Sequence, residues 1–287
     1  MSATTTSSAP PMPERWMLPD HTQLPDKDDS VTNFDEPPQR QILTDSVVPW
    51  LQRLHPDGRF AIGQDSGIYW RLTDPPLDGC KAPDWFYIPD VTGDLDGRMR
   101  RSSVLWQEYE TPIVILEFAS GDGTEERDRT PFKGKFWVYE RAVKAPYYGI
   151  FVLEDNSLEV FHLVGNRYQR MTPNARGRYL IDPLGLELGT WEGAYAGRST
   201  RTWLRWFEPN GALLLHGQEA REAAELVAAA AKQDAAVAKQ DAALAKQDAA
   251  VAKQDAALAK QQATVAEERA AALAAKLREL GVDPQNL

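Results

Sequence analysis

A small set of ionisable residues sits where phosphate chemistry could be done. Asp84 follows Pro83 and opens the run Trp85-Phe86-Tyr87-Ile88. Glu117 closes the apolar run Ile113-Val114-Ile115-Leu116. Lys133 and Lys135 come next, and Tyr139 lies one helical turn past Lys135. Two carboxylates at adjacent strand ends can converge on a divalent cation. Mg²⁺ takes hard oxygen ligands, commonly one or two carboxylates completed by water and substrate phosphate. Such an ion activates water and steadies the charge on a phosphate under attack. A neighbouring lysine can hold that water or offset the developing charge. Asp, Glu and Lys on a strand–strand–helix frame therefore suffice for phosphodiester hydrolysis.

Each residue also has an ordinary reading. Pro83-Asp84 can be a turn before a strand. Lys133 and Lys135 can be a solvated helix face, the commonest fate of lysine. Glu117 can be a strand-end carboxylate in water, although the apolar residues before it fit that poorly. The spacing alone arises by chance in many soluble proteins. Gly121-Asp122-Gly123 reads as a turn and is too short for a phosphate-binding loop. Asp65 is a further acidic candidate for the same site. Ser120 and His162 lack the Gly-x-Ser-x-Gly elbow of a hydrolytic serine.

The elements that must position this set follow from the pattern around it. Residues 1–38 are rich in Pro, Thr, Ser and Asp and show no periodicity. We expect them to be disordered, with a short docking segment at Arg15-Trp16-Met17-Leu18. From Gln41, Ile42-Leu43 and Val47-Val48 followed by Trp50-Leu51 fit an amphipathic helix, kinked or restarted at Pro49. Strands are expected at 59–62, 68–72 and 84–88, then a long polar loop over 92–110. Residues 113–118 form a continuous apolar run of the kind found in strands buried on both faces. Thr130-Pro131 suits a helix start, with Thr as N-cap and Pro in the first turn, and 132–143 fits the helix. Strands follow at 147–153 and 158–163. Strand, helix, strand around a buried central strand is a βαβ-like unit.

These segments together resemble the Uma2 family of restriction endonucleases, within the PD-(D/E)XK nuclease superfamily. The resemblance rests on Ala82-Pro83-Asp84-Trp85-Phe86-Tyr87-Ile88, on Ile113 to Ser120, on Gly134 to Arg141 and on Pro146-Tyr147-Tyr148, and covers about residues 40–210. Leu277 to Pro284 also looks like the end of many members. The resemblance implies a restriction-endonuclease-like mixed-sheet core with flanking helices. It implies Asp84 and Glu117 as ligands of Mg²⁺ or Mn²⁺, with Ser120 beside them. The superfamily usually places its lysine two residues after the acid, where this chain has Ala119. The family supplies it from the next helix, four residues before a tyrosine, which matches Lys135 and Tyr139, with Lys133 as the fallback. An Asp often stands four residues before that lysine in the family, whereas here Asp128 stands seven before Lys135, so the local alignment is loose.

Composition bounds the rest. The chain has 287 residues and a net charge of −10. That balance weighs against non-specific attraction to nucleic acid, which relies on Lys and Arg. One cysteine, Cys80, excludes an internal disulfide, and four scattered His argue against zinc. No basic, apolar leader begins the chain, and no stretch would span a bilayer, so a cytoplasmic, soluble protein is expected. All nine Trp precede residue 207, and the last eighty residues hold no Trp, Tyr or Phe. Core and tail are different kinds of structure.

The tail repeats Lys-Gln-Asp-Ala-Ala-Val/Leu-Ala from Lys232, Lys239, Lys246 and Lys253. Alanine favours helix, and a period of seven implies a left-handed supercoil if helices pair. A coiled coil wants two apolar positions per heptad. Here Val237, Leu244, Val251, Leu258 and Val265 supply one, and the second falls on Asp or Gln. A helix over 217–281, roughly 95 Å at 1.5 Å per residue, is either a homo-oligomeric seam through 232–280 or a solvated spacer. The whole reads as a segment 1–38, an endonuclease-like α/β domain 39–210, and this helix. The expected activity is metal-dependent cleavage of nucleic acid, DNA first. Its rival is a nuclease fold without chemistry, assembled through its tail.

Overall fold

The computed structural model describes residues 19, 35–119 and 121–281. The docking segment 15–18, almost all of the expected disordered stretch, and Ser120 lie outside the described residues. The chain divides into two units, Met1–Gln218 and Glu219–Leu287.

The first described element of the first unit is helix α1, Glu36–Leu54. It begins five residues before Gln41 and runs through Pro49 unbroken. Its buried residues include Glu36, Gln39, Arg40, Leu43, Val47 and Leu51, one stripe at helical spacing. Strands β1 (Phe60–Gly63), β2 (Ile68–Tyr69), β3 (Cys80–Lys81) and β4 (Trp85–Pro89) follow. The polar segment expected as loop carries short strands β5 (Asp94–Leu95), β6 (Arg98–Met99) and β7 (Ser103–Val104), then a single turn of helix, α2 (Leu105–Glu108). Its short pieces escape a periodicity reading because two residues hold no period.

Strand β8, Val114–Ala119, is buried at every position. It lies between β4, antiparallel, and β9 (Tyr147–Val152), parallel. The parallel step requires a crossover, and that crossover holds the helical segment after β8. The expected start at Thr130-Pro131 is not the helix start. Asp128 accepts hydrogen bonds from the Thr130 backbone N–H at 2.8 Å and its hydroxyl at 2.7 Å, which holds a turn there. Helix α3 spans only Lys135–Trp137 and continues as a π-helix over Val138–Val143. Strands β10 (Ser157–Val164) and β11 (Arg167–Arg170) complete a six-stranded mixed sheet in the order β1-β4-β8-β9-β10-β11.

Alternation along β8 explains the layers. Val114, Leu116 and Phe118 join a core with Leu43, Val47 and Leu51 of α1. The same core takes in Leu188 of β13 (Leu186–Gly193) and Trp206 of β14 (Arg201–Phe207), which form an antiparallel meander with β12 (Tyr179–Ile181). Ile115 and Ala119 point into a second core with Phe136, Val138 and Tyr139. Gln39 ties α1 to β14: its amide donates to the Leu204 carbonyl and accepts from the Leu204 N–H, both at 2.9 Å.

Among the described residues of the second unit one helix, α4, Gly217–Glu279, has no buried residue. No described helix is long and apolar enough to cross a membrane.

Candidate functional site

Period two sets Glu117 on the same face of β8 as Ile115 and Ala119, the face covered by the helix after it. On β4 the same face carries Phe86 and Ile88, and one step back comes Asp84. The register pairs Trp85 with Leu116 and Phe86 with Ile115. Continued one step, it sets Asp84 opposite Glu117. Sheet geometry thus brings together two carboxylates more than thirty residues apart in sequence. Asp84 Oδ2 accepts a 2.6 Å hydrogen bond from the Phe118 N–H, which fixes the carboxyl at the strand end.

Glu117 is 1% exposed. A carboxylate so buried must be paired or hydrogen-bonded. The Tyr139 hydroxyl donates to Oε1 at 2.6 Å, and Lys135 Nζ donates to Oε2 at 3.2 Å. Lys135 also reaches the buried Glu126 at 3.0 Å and the exposed Glu125 at 3.7 Å. Lys133 is exposed, so the structure brings Lys135, and not Lys133, to Glu117. Gly134 makes this approach of the chain feasible: a Cβ there would lie 2.2 Å from the Asp128 carbonyl oxygen.

Sequence reasoning missed Arg40. It is 5% exposed on α1 and hydrogen-bonds Asp65, lying 3.5 Å from Asp84 Oδ1 and 4.0 Å from Glu36. Asp65 thus joins the site through Arg40. The readable signal was Glu36 and Arg40, four apart on a helix and so on one face. Glu126 was missed too, since it lies in a polar loop that offers no pattern. Asp122 accepts from the Thr124 N–H at 2.9 Å, which supports the turn reading of Gly121-Asp122-Gly123. His162 stacks on Tyr147 at 4.7 Å.

The electrostatics follow from burial. Burial, then the facing Glu117, push the Asp84 carboxyl up to about 9, against the Phe118 N–H. Burial also raises Glu117, opposed by Lys135 and Tyr139. For Lys135, burial works to neutralise the ammonium, but Glu117, Glu126 and Glu125 outweigh it and hold its pKa above the ordinary lysine value. The Tyr139 hydroxyl is raised well above its usual range by burial and by Glu117, so it stays a donor.

A sequence model of the Uma2 family, described as "putative restriction endonuclease", matches residues 37–196, more than half the chain. The chain belongs to the Uma2 family. No curated protein matches it significantly. The Uma2 match spans α1 through β13 and so contains Arg40, Asp84, Glu117, Lys135 and Tyr139. Restriction-endonuclease-like enzymes use divalent metals, and the Uma2 site can be tested for such an ion. Among the described residues no group of three or more His, Cys, Asp and Glu is placed to hold a metal ion. The donor set is the Asp84 and Glu117 pair, which suits Mg²⁺ with its preference for one or two carboxylates. The residues fit the group.

Proposed function

We propose that this Uma2 protein is a metal-dependent endonuclease that hydrolyses phosphodiester bonds of nucleic acid, DNA first. The observation that carries this reading is the buried Glu117, held by Lys135 and Tyr139 and set opposite Asp84. Asp84 and Glu117 would hold Mg²⁺ or Mn²⁺. Such an ion, when bound, activates water and offsets phosphate charge.

The protein's own residues supply the rest. Phe118 N–H and Arg40 each donate to a different oxygen of the Asp84 carboxyl. Tyr139 and Lys135 fix both oxygens of Glu117, leaving lone pairs free to ligate. Lys135 Nζ keeps its proton, because three carboxylates surround it. It therefore acts as a hydrogen-bond donor and cation, positioning the attacking water or steadying charge on the phosphate, and not as a general base. The single Val or Leu per heptad of α4 would bring copies of the chain together through 232–280.

The test is nicking of supercoiled plasmid by purified protein with Mg²⁺ or Mn²⁺, wild type against Glu117→Gln. We expect the variant to lose about 10²-fold or more in rate, and Mn²⁺ binding to weaken in Asp84→Asn and Glu117→Gln alike. Equal behaviour of wild type and variant on single-stranded DNA, duplex DNA and RNA would establish the rival reading. The acidic balance of the chain and Ala119 at the usual lysine position weigh toward that rival, and the retained Pro83-Asp84, Glu117 and Lys135 set weighs against it.

A further inference from the structure

Phe132 stands out on the surface, three residues before Lys135. It is 51% exposed, and its φ of 64° lies in the left-handed region. Bulky residues rarely adopt that conformation, and it persists only where the surroundings impose it. Here the surroundings are aromatic. The Phe132 ring stacks with Trp70 at 6.4 Å and 22°, and lies 4.5 Å from Trp137. The Arg71 guanidinium carbon sits 4.4 Å over Trp70 and 5.2 Å over Phe132. Lys133, the next residue, is exposed. Two donors in this group, Trp70 Nε1 and Arg71 Nε, have no acceptor among the described residues.

Scattered surface apolar residues are normal, so exposure alone would say little. This cluster combines a half-exposed flat ring, indoles beside it, a guanidinium and an exposed ammonium. A planar aromatic group carrying a negative charge matches all four, and a nucleotide is such a group. Its place in the chain agrees. Phe132 and Trp137 bracket Lys135, and Trp70 follows β2, five residues after Asp65. Inside a duplex both faces of a base are covered by its neighbours. Only an unpaired base can lay a face on Phe132.

We propose that Phe132, backed by Trp70 and Trp137 and flanked by Arg71 and Lys133, is a stacking platform for an unpaired base of the substrate strand. The preferred substrate is then single-stranded or locally unpaired nucleic acid. This inference rests on the nuclease reading of the neighbouring carboxylates. Stacking tolerates any base, because every base has a π-face, so the platform selects strand state and not sequence.

The test is fluorescence anisotropy with the full chain, with EDTA and again with Ca²⁺, using labelled single-stranded DNA, RNA of the same sequence and blunt duplex. Wild type should bind the single strands about tenfold more tightly than duplex, Phe132→Ala should lose about that factor for single strands, and Phe132→Tyr should keep it. Lys133→Ala, on a solvated side chain, should weaken binding and flatten its salt dependence. Unchanged thermal unfolding of Phe132→Ala would exclude misfolding as the cause. If Phe132→Ala binds single strands as wild type does while nicking still depends on Glu117, the platform falls and the nuclease stands. If single-strand binding depends on Phe132 but nothing is cleaved, the platform stands and the nuclease falls. If wild type neither binds nor cleaves nucleic acid, both fall.

Discussion

At the scale of single residues, Glu117 is the costly choice. A buried carboxylate needs its acceptors satisfied, and Tyr139 fills Oε1 at 2.6 Å. Tyr139→Phe keeps the ring and removes the donor. Leaving a buried acceptor unmet costs about 1–3 kcal/mol, and urea unfolding with an unchanged m-value would measure it. No loss would mean that Lys135 alone suffices. Asp84 gives a second prediction. Its carboxyl is pushed from 3.8 in the unfolded chain up to about 9 in the fold. Between those values the folded state holds a proton that the unfolded chain has released. Its contribution is thus full below the lower value and drains away as pH rises toward the upper one. In EDTA, stability should fall with rising pH across that window, and less steeply in Asp84→Asn. Equal slopes would show that Asp84 is ionised throughout. Asp84 and Glu117 were legible as candidates because each stands next to a strong strand pattern, whereas Lys135 was preferred over Lys133 only through the family resemblance. Arg40 was not legible, because its partners Asp65 and Asp84 come from two other segments, and only the fold brings them within reach.

At the scale of elements, the buried strands were the most legible part. The run 113–118 has no polar alternation except Glu117, and it became the fully buried β8. Short strands such as β2 and β7 were illegible because two residues cannot display a period. The helix after β8 was misplaced because Thr130-Pro131 offered a start signal that Asp128 had already taken for a turn. The consequence is a helix whose first residue is Lys135 and whose continuation is a π-helix, a rare form often found at functional sites. Gly134 sets that start. An alanine Cβ there would meet the backbone oxygen of Asp128 at 2.2 Å. Backbone cannot swing aside as a side-chain tip can, so Gly134→Ala should cost about 1–3 kcal/mol and displace Lys135 from Glu117. Calorimetric unfolding and plasmid nicking would read both effects. An alanine variant with full stability would show that the 128–134 turn adapts.

At the scale of the whole molecule, α4 is nearly charge-balanced, so the acidity of the chain belongs to the residues before it. Its repeat sets Lys232, Asp234 and Lys239 two and five residues apart, and neither spacing faces a partner on one helix. The helix therefore rests on alanine propensity, with a stripe of Val237, Leu244, Val251, Leu258 and Val265 that is 40–57% exposed. Covering a half-exposed Val or Leu yields about 1 kcal/mol, half the value for full burial. The stripes of two copies then yield roughly 10 kcal/mol, within the range of about 4–15 kcal/mol that association costs. Self-association should accordingly be weak, with mass rising with concentration in sedimentation equilibrium. The weak point is the second heptad position, where Gln240, Gln247 and Gln254 stand three residues after Val or Leu. Replacing all three with Leu completes an apolar seam and should convert the full chain to a stable oligomer at micromolar concentration. If wild type is already a stable oligomer there, alanine contacts contribute more than this stripe. If the Leu variant stays monomeric, the Val/Leu stripe is not the seam.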